Sequence, residues 1–206
     1  MIAIIDYGVG NLRSVAKAFE YIGYPAEITS DPARVRRAEH VVLPGVGAFG
    51  KSMENLSKYG MVPVVREAIA SGKPFLGICL GLQLLFETSA ESFGAAANVA
   101  GLGVFPGQVL RFSDDPALKV PQIGWNQIGD FQMNNPLFAG VSPGSYVYFV
   151  HSYYVKPAQS GIIACTTDYG LEYCSGIAAG NVFAVQFHPE KSSAVGLRIL
   201  QNFAGL

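Results

Sequence analysis

Along the first half of the chain, short unbroken apolar runs alternate with longer stretches in which apolar residues return at helical spacing. Met1 to Asp6, Ala26 to Thr29, His40 to Pro44 and Pro74 to Cys79 read as strands, the first of them buried, and Asn11 to Ile22 and Met61 to Ser71 read as helices. Gly23-Tyr24-Pro25 stops the first helix and Gly72-Lys73-Pro74 the second. Such alternation predicts a parallel sheet with helices on both faces. Beyond Phe86 the pattern changes. Strand-like pieces at Gly107 to Phe112, Tyr146 to Val150, Ile162 to Thr167 and Val182 to His188 lie between Gly and Pro turns, and Ser193 to Phe203 closes the chain as a helix. The expected fold is α/β: an open, mostly parallel sheet, helices on both faces, and added antiparallel strands. No internal repeat or low-complexity linker divides the chain, so residues 1–206 are expected to form a single domain.

Composition narrows the function. Half of the 206 residues are apolar, as in a compact globular protein, and the formal net charge is −1. The one dense basic run, Arg34, Arg36 and Arg37, reads as a solvated face, so the footprint of a nucleic-acid binder is missing. No apolar stretch approaches the roughly 20 residues of a membrane helix, because even Phe75 to Phe86 is broken by Gly77, Gly81 and Gln83. The N-terminus runs straight into the first strand and does not read as a signal peptide, which points to a soluble, cytoplasmic protein. Three cysteines, Cys79, Cys165 and Cys174, are few and odd in number, against a disulfide framework.

Cys79 stands apart from the other two. Gly77-Ile78-Cys79-Leu80-Gly81 follows a strand, precedes a run with amphipathic helical character, and has the G-x-nucleophile-x-G form of a nucleophile elbow with Cys in place of Ser. Small residues two before and two after let the backbone fold tightly, and a thiolate at a helix N-terminus gains from the dipole. Cys165 and Cys174 lie in no such turn and read as packing residues. A nucleophile needs a base and a group that holds the base. His188-Pro189-Glu190 supplies both, since Pro189 keeps His188 extended, which lets Glu190 accept the Nδ1–H and leaves Nε2 for Cys79. His40 lies at a strand start, and His151 reads as a packed histidine. For the oxyanion, Leu80 N–H is one natural donor, and the glycine-rich segment Val42 to Gly50 offers a second. That segment has a competing reading, because Gly45, Gly47 and Gly50 satisfy G-x-G-x-x-G, and Gly8-Val9-Gly10 is a partial second match. Against a dinucleotide site, the full match is not in the first βα unit and lacks an acid about 20 residues further on.

Cys79 within Gly77 to Gly81, Gln83, and His188-Pro189-Glu190 together resemble the class I glutamine amidotransferase family. Asp6 to Ser14, Pro44 to Phe49, Gly124-Trp125-Asn126, Phe149 to Tyr154 and Gln186 to Ser192 are similar, more narrowly, to the glutaminase subunits of imidazole glycerol phosphate synthases. The resemblance implies an open α/β fold, a Cys79-His188-Glu190 triad and an oxyanion hole at Gly47 and Leu80. It implies further that Gln83, Ser152 and Tyr153 bind glutamine, with no metal or cofactor. Ammonia would pass to a barrel-shaped cyclase subunit in histidine biosynthesis, and Asn11, Arg13, Trp125 and Lys191 match the family's docking surface. Two positions depart from the family pattern: Leu82 stands where Met is usual, which conserves volume, and Gln122 where His is frequent, which removes a titratable group. The rivals are a glutaminase feeding another synthase, and a binding module that has kept the fold without the activity.

Overall fold

The computed structural model describes residues 1–92, 94, 98–113, 116, 118–132 and 134–206. Five strands, β1 (Ile2–Ile5), β2 (Ala26–Thr29), β3 (His40–Gly45), β4 (Phe75–Cys79) and, much later in the chain, β13 (Val182–Val185), lie side by side in the order β2-β1-β3-β4-β13, all parallel. Between them run α1 (Leu12–Tyr21), α2 (Pro32–Arg37), α3 (Phe49–Lys58) and α4 (Met61–Ala70), with α5 (Leu80–Gln83) directly after β4 and α6 (Ser193–Ala204) at the end. The unbroken apolar runs are explained by cores on both faces. Ile2 and Ile4 of β1 pack with Val15 and Phe19 of α1 and Ile199 and Phe203 of α6, while Ala3 and Ile5 point to the face of Val35, Leu56 and Val64 from α2, α3 and α4.

The second half widens the sheet with β5 (Phe86–Ser89), β6 (Val99–Ala100), β7 (Phe105–Arg111), β10 (Tyr153–Pro157), β11 (Ile163–Asp168) and β12 (Glu172–Ala179). β12 joins β13 antiparallel and leads out through β10 and β7; the β7–β5 pairing is again parallel. Two more strands, β8 (Gln122–Ile128) and β9 (Ser145–His151), pair with each other as a separate antiparallel ribbon. The fold is thus the expected α/β class, a mostly parallel central sheet extended by antiparallel strands.

Several elements differ from the sequence reading. The helix after Cys79 is a single turn whose residues are all buried, and not an amphipathic helix. α2, α3 and β8 were not foreseen; α2 is capped by Asp31, whose side chain accepts the Ala33 N–H at 2.8 Å, with Pro32 opening the helix. The strand at Val182 ends at Val185; Gln186 N–H still bonds the Ser175 carbonyl of β12, but by His188 the chain has turned to β9, its N–H bonding the Tyr148 carbonyl. The strand expected at Tyr146 to Val150 runs from Ser145 to His151, and Ser152 then passes the chain from the small ribbon into the main sheet. Among the described residues, no helix is long and apolar enough to cross a membrane.

Candidate active site

The C-terminal ends of β3, β4 and β13 meet at one crevice, the usual ligand-binding edge of an open α/β sheet. Register does the positioning. Parallel pairing sets Gly45 of β3 beside Cys79 of β4, and Val185 of β13 beside Ile78, so the loops that follow all three strands open on the same space. Cys79 ends its strand with φ 55° and ψ −111°, a left-handed conformation that a non-glycine residue adopts at a cost. This is the sharp turn expected of a nucleophile elbow. Its tightness explains Gly81: a Cβ there would stand 1.9 Å from the Leu43 carbonyl oxygen, so any larger residue would drive α5 off β3. With α5 only one turn long, the dipole available to the sulfur shrinks from that of a full helix to that of a few N–H groups.

A pocket of about 280 Å³ opens over the sulfur, walled by Val46, Gly47, Cys79, Leu80, Gln83, Glu91, Pro121, Val150, His151, Ser152, Tyr153 and His188. Seven of the eight residues assigned to catalysis, oxyanion binding or substrate by sequence therefore line one cavity, and the eighth, Glu190, stands directly behind His188. Gly47, with φ 91°, turns the loop after β3 into the pocket, and the Tyr7 hydroxyl steadies that loop by donating to the Pro44 carbonyl at 2.9 Å. Gln83 is buried and donates to the Tyr153 carbonyl at 2.9 Å, so it does not face solvent on a helix surface.

His188 Nδ1–H donates to Glu190 Oε1 at 2.8 Å, and both side chains are almost wholly buried. Ser192 holds the base from behind, its hydroxyl donating to the His188 carbonyl at 2.6 Å while accepting the Tyr148 N–H. Burial alone would lower the imidazole, but its interactions with Cys79 and Glu190 outweigh that and push His188 up to about 10. The thiol and the imidazole are close without being aligned: Nε2 makes no hydrogen bond of good geometry, and the Cys79 S–H is directed at the Val150 carbonyl 4.0 Å away. A group in the pocket that drew the sulfur forward would find an imidazolium beside it. The other cysteines offer no such chemistry. Burial pushes Cys165 up to about 12 and Cys174 higher still.

His151 is the packed histidine that its sequence context suggested. Burial holds it down to about 4, and it bonds the Tyr153 carbonyl through Nδ1 and the Tyr173 hydroxyl through Nε2. The Tyr173 hydroxyl also meets Gln122, which is fully buried. Sequence reasoning missed Glu91. Its Oε2 accepts the Phe49 N–H at 2.8 Å, capping α3 from 42 positions away while the residue lines the pocket. An acid at that helix start also occupies the place where a dinucleotide pyrophosphate would have to sit, which overturns the G-x-G-x-x-G reading of Gly45, Gly47 and Gly50.

Of the residues matched to a docking surface, Trp125 is 48% exposed on β8 and does not pack in the core. It meets Tyr148 of β9 edge-on at 6.1 Å, and Lys191 Nζ lies over the same ring at 5.7 Å. Arg13 is exposed in the first turn of α1, beside Asn11, whose side chain accepts from Ser14. Residues of α1 share a surface cleft with Glu190, so the start of α1 and the Pro189–Lys191 turn are neighbours.

The family model described as glutamine amidotransferase class-I matches residues 3–205. The chain is 54% identical over 211 residues to a Syntrophotalea carbinolica protein named imidazole glycerol phosphate synthase subunit HisH, with all of both chains covered. It is 52% identical to the protein of that name from Moorella thermoacetica, covering all of this chain and 94% of that one. Among solved structures, it superposes on one described as a glutamine amidotransferase with a TM-score of 0.76 at 16% identity, covering 100% of both chains. PurLQS from Thermotoga maritima superposes with a TM-score of 0.75 at 17% identity, covering 99% and 97%.

Proposed function

The chain belongs to the class I glutamine amidotransferase family, and from that premise we propose that it is the glutaminase subunit of an imidazole glycerol phosphate synthase. Residues 1–206 act as one amidotransferase domain in the cytoplasm, releasing ammonia to a cyclase partner that forms imidazole glycerol phosphate and aminoimidazole carboxamide ribotide in histidine biosynthesis. The observation that carries this reading is the buried His188–Glu190 pair at 2.8 Å beside a strained Cys79 in the floor of the pocket.

Glutamine enters with its carboxamide over the sulfur. Gln83, Ser152 and Tyr153 hold its α-carbon end, and Glu91 provides the negative charge that an α-ammonium group seeks. The Cys79 thiolate attacks the carboxamide carbon, and the N–H of Leu80 and the loop at Gly47 receive the developing oxyanion. His188, charged and steered by Glu190, gives its proton to the departing ammonia; as the neutral base it then activates the water that cleaves the glutamyl thioester.

Ammonia must leave without meeting bulk water, so the partner covers the crevice. Asn11, Arg13, Trp125 and Lys191 form the docking face, with Lys191, next to Glu190 in the chain, pairing with a carboxylate of the cyclase. The test is glutamate release by the chain with and without the cyclase and its substrate. Release raised by orders of magnitude on mixing is expected, with Cys79→Ala retaining synthesis from ammonium salts. Full activity of the chain alone, or no effect of the cyclase, would refute the subunit assignment.

A further inference from the structure

The carboxamide of Gln186 lies between two residues of the site, and the chemistry of its neighbours decides which way round it lies. The Tyr153 main-chain carbonyl can only accept, so the Gln83 atom 2.9 Å from it is Nε2. The second proton of that nitrogen goes to Gln186 at 3.0 Å, which must therefore present Oε1. Only Nε2 of Gln186 is then left to face Cys79 Sγ, 3.6 Å away. Polarity is thus handed from a backbone carbonyl, through two amides, to the sulfur, which receives an N–H. His151 Nδ1 supplies a second donor to the same Tyr153 carbonyl at 2.9 Å, so that anchor is held from both sides. Gln186 is fully buried, and its own N–H is tied to the Ser175 carbonyl, which leaves the side chain little freedom to turn away. Both of these bonds use Gln83 Nε2 and neither uses its Oε1, on a residue that lines the pocket.

We propose that Gln186 is a positioning residue of the site, donating an N–H to the Cys79 sulfur and pinning Gln83 with its carboxamide oxygen toward glutamine. A hydrogen bond strengthens when its acceptor becomes an anion, so this donor favours thiolate over thiol. The role deepens the glutaminase reading and rests on it. Neither the triad nor the oxyanion loop replaces it, because among the described residues no other group bonds both the sulfur and Gln83.

The test follows alkylation of the full chain by iodoacetamide, in which the sulfur forms a bond to carbon as iodide leaves, with the modified cysteine located by mass spectrometry at a series of pH values. Gln186→Met removes both contacts. Alkylation of Cys79 at neutral pH should slow about tenfold or more, the loss expected for a hydrogen bond to a charged group, the rate profile should move to higher pH, and KM for glutamine should rise. Gln186→Glu keeps the shape and the acceptor toward Gln83, which guards against a folding defect. There the carboxyl takes the first negative charge and repels a second, so the alkylation profile should again move upward while KM stays within a few-fold of wild type. Profiles that superimpose on wild type in both variants would overturn the donor role, and an unchanged KM in Gln186→Met would overturn the pinning of Gln83. Failure of the glutaminase reading would show elsewhere, in a wild-type chain that releases no glutamate from glutamine.

Discussion

At Cys79 a left-handed backbone, a buried base and an amide donor converge on one sulfur, an arrangement that packing alone does not call for. Glu190→Gln keeps the volume but removes the charge that holds His188 upright and protonated; kcat for glutamine hydrolysis should fall by roughly a hundredfold or more, measured with the partner bound. The two buried histidines of the site have opposite linkages to pH. His188 is raised to about 10 in the folded chain, so it adds stability that is fully present below its ordinary value and lost as pH rises through about 10. His151 is lowered to about 4, so its contribution is present above its ordinary value and lost as pH falls toward 4. Urea melts of wild type and His151→Asn at neutral pH and near pH 4 should show the acid loss shrinking in the variant by up to about 3 kcal/mol; equal acid losses would mean that His151 is not buried neutral. That Cys79, His188 and Glu190 would lie together was legible because each sits in a local pattern, an elbow and His-Pro-Glu. Glu91 was not, since its partner Phe49 lies 42 positions away and a lone acid among polar neighbours carries no local signal.

Among the elements, the strand, turn and single helical turn around Cys79 depend on close approach to β3. Gly81→Ala forces a methyl into the Leu43 carbonyl, and a loss of about 1–3 kcal/mol in a denaturant melt is expected, with glutaminase activity lost alongside as the elbow opens. Glu91→Ala should cost α3 about 1 kcal/mol as its cap is lost and raise KM for glutamine more than it lowers kcat, as read from steady-state kinetics. The buried parallel strands were legible from their apolar runs, whereas β8 was not, because its pattern is inverted. Gln122 is fully buried there, while Ile123 and Trp125 are 61% and 48% exposed, the reverse of what a strand on a core displays. α3 was hidden by the glycines around its start, Gly45, Gly47 and Gly50, which suit both a loop and the helix start that Glu91 caps. Phe187 is buried beyond the end of the strand at Val185, so apolar character past Gln186 overstated the strand's length.

On the scale of the whole molecule, that inverted strand makes sense as a surface waiting to be covered. Ile123, Trp125 and Tyr146 stand exposed on one ribbon, beside a Lys191 that rests on Tyr148 and next to the pocket walls Pro121 and Val150. Trp125→Ala should weaken binding of the cyclase by about 2 kcal/mol or more in a titration, and Lys191→Ala should weaken docking or uncouple the two reactions, with a loss that shrinks at high salt. Wild-type affinity and coupling in both variants would place the partner elsewhere. All of this depends on Cys79 being the atom that attacks glutamine. The most direct measurement is therefore the mass and position of the adduct left by a glutamine-mimicking diazoketone: the account predicts a single addition at Cys79 that Cys79→Ala abolishes, and labelling confined to Cys165 or Cys174 would contradict it.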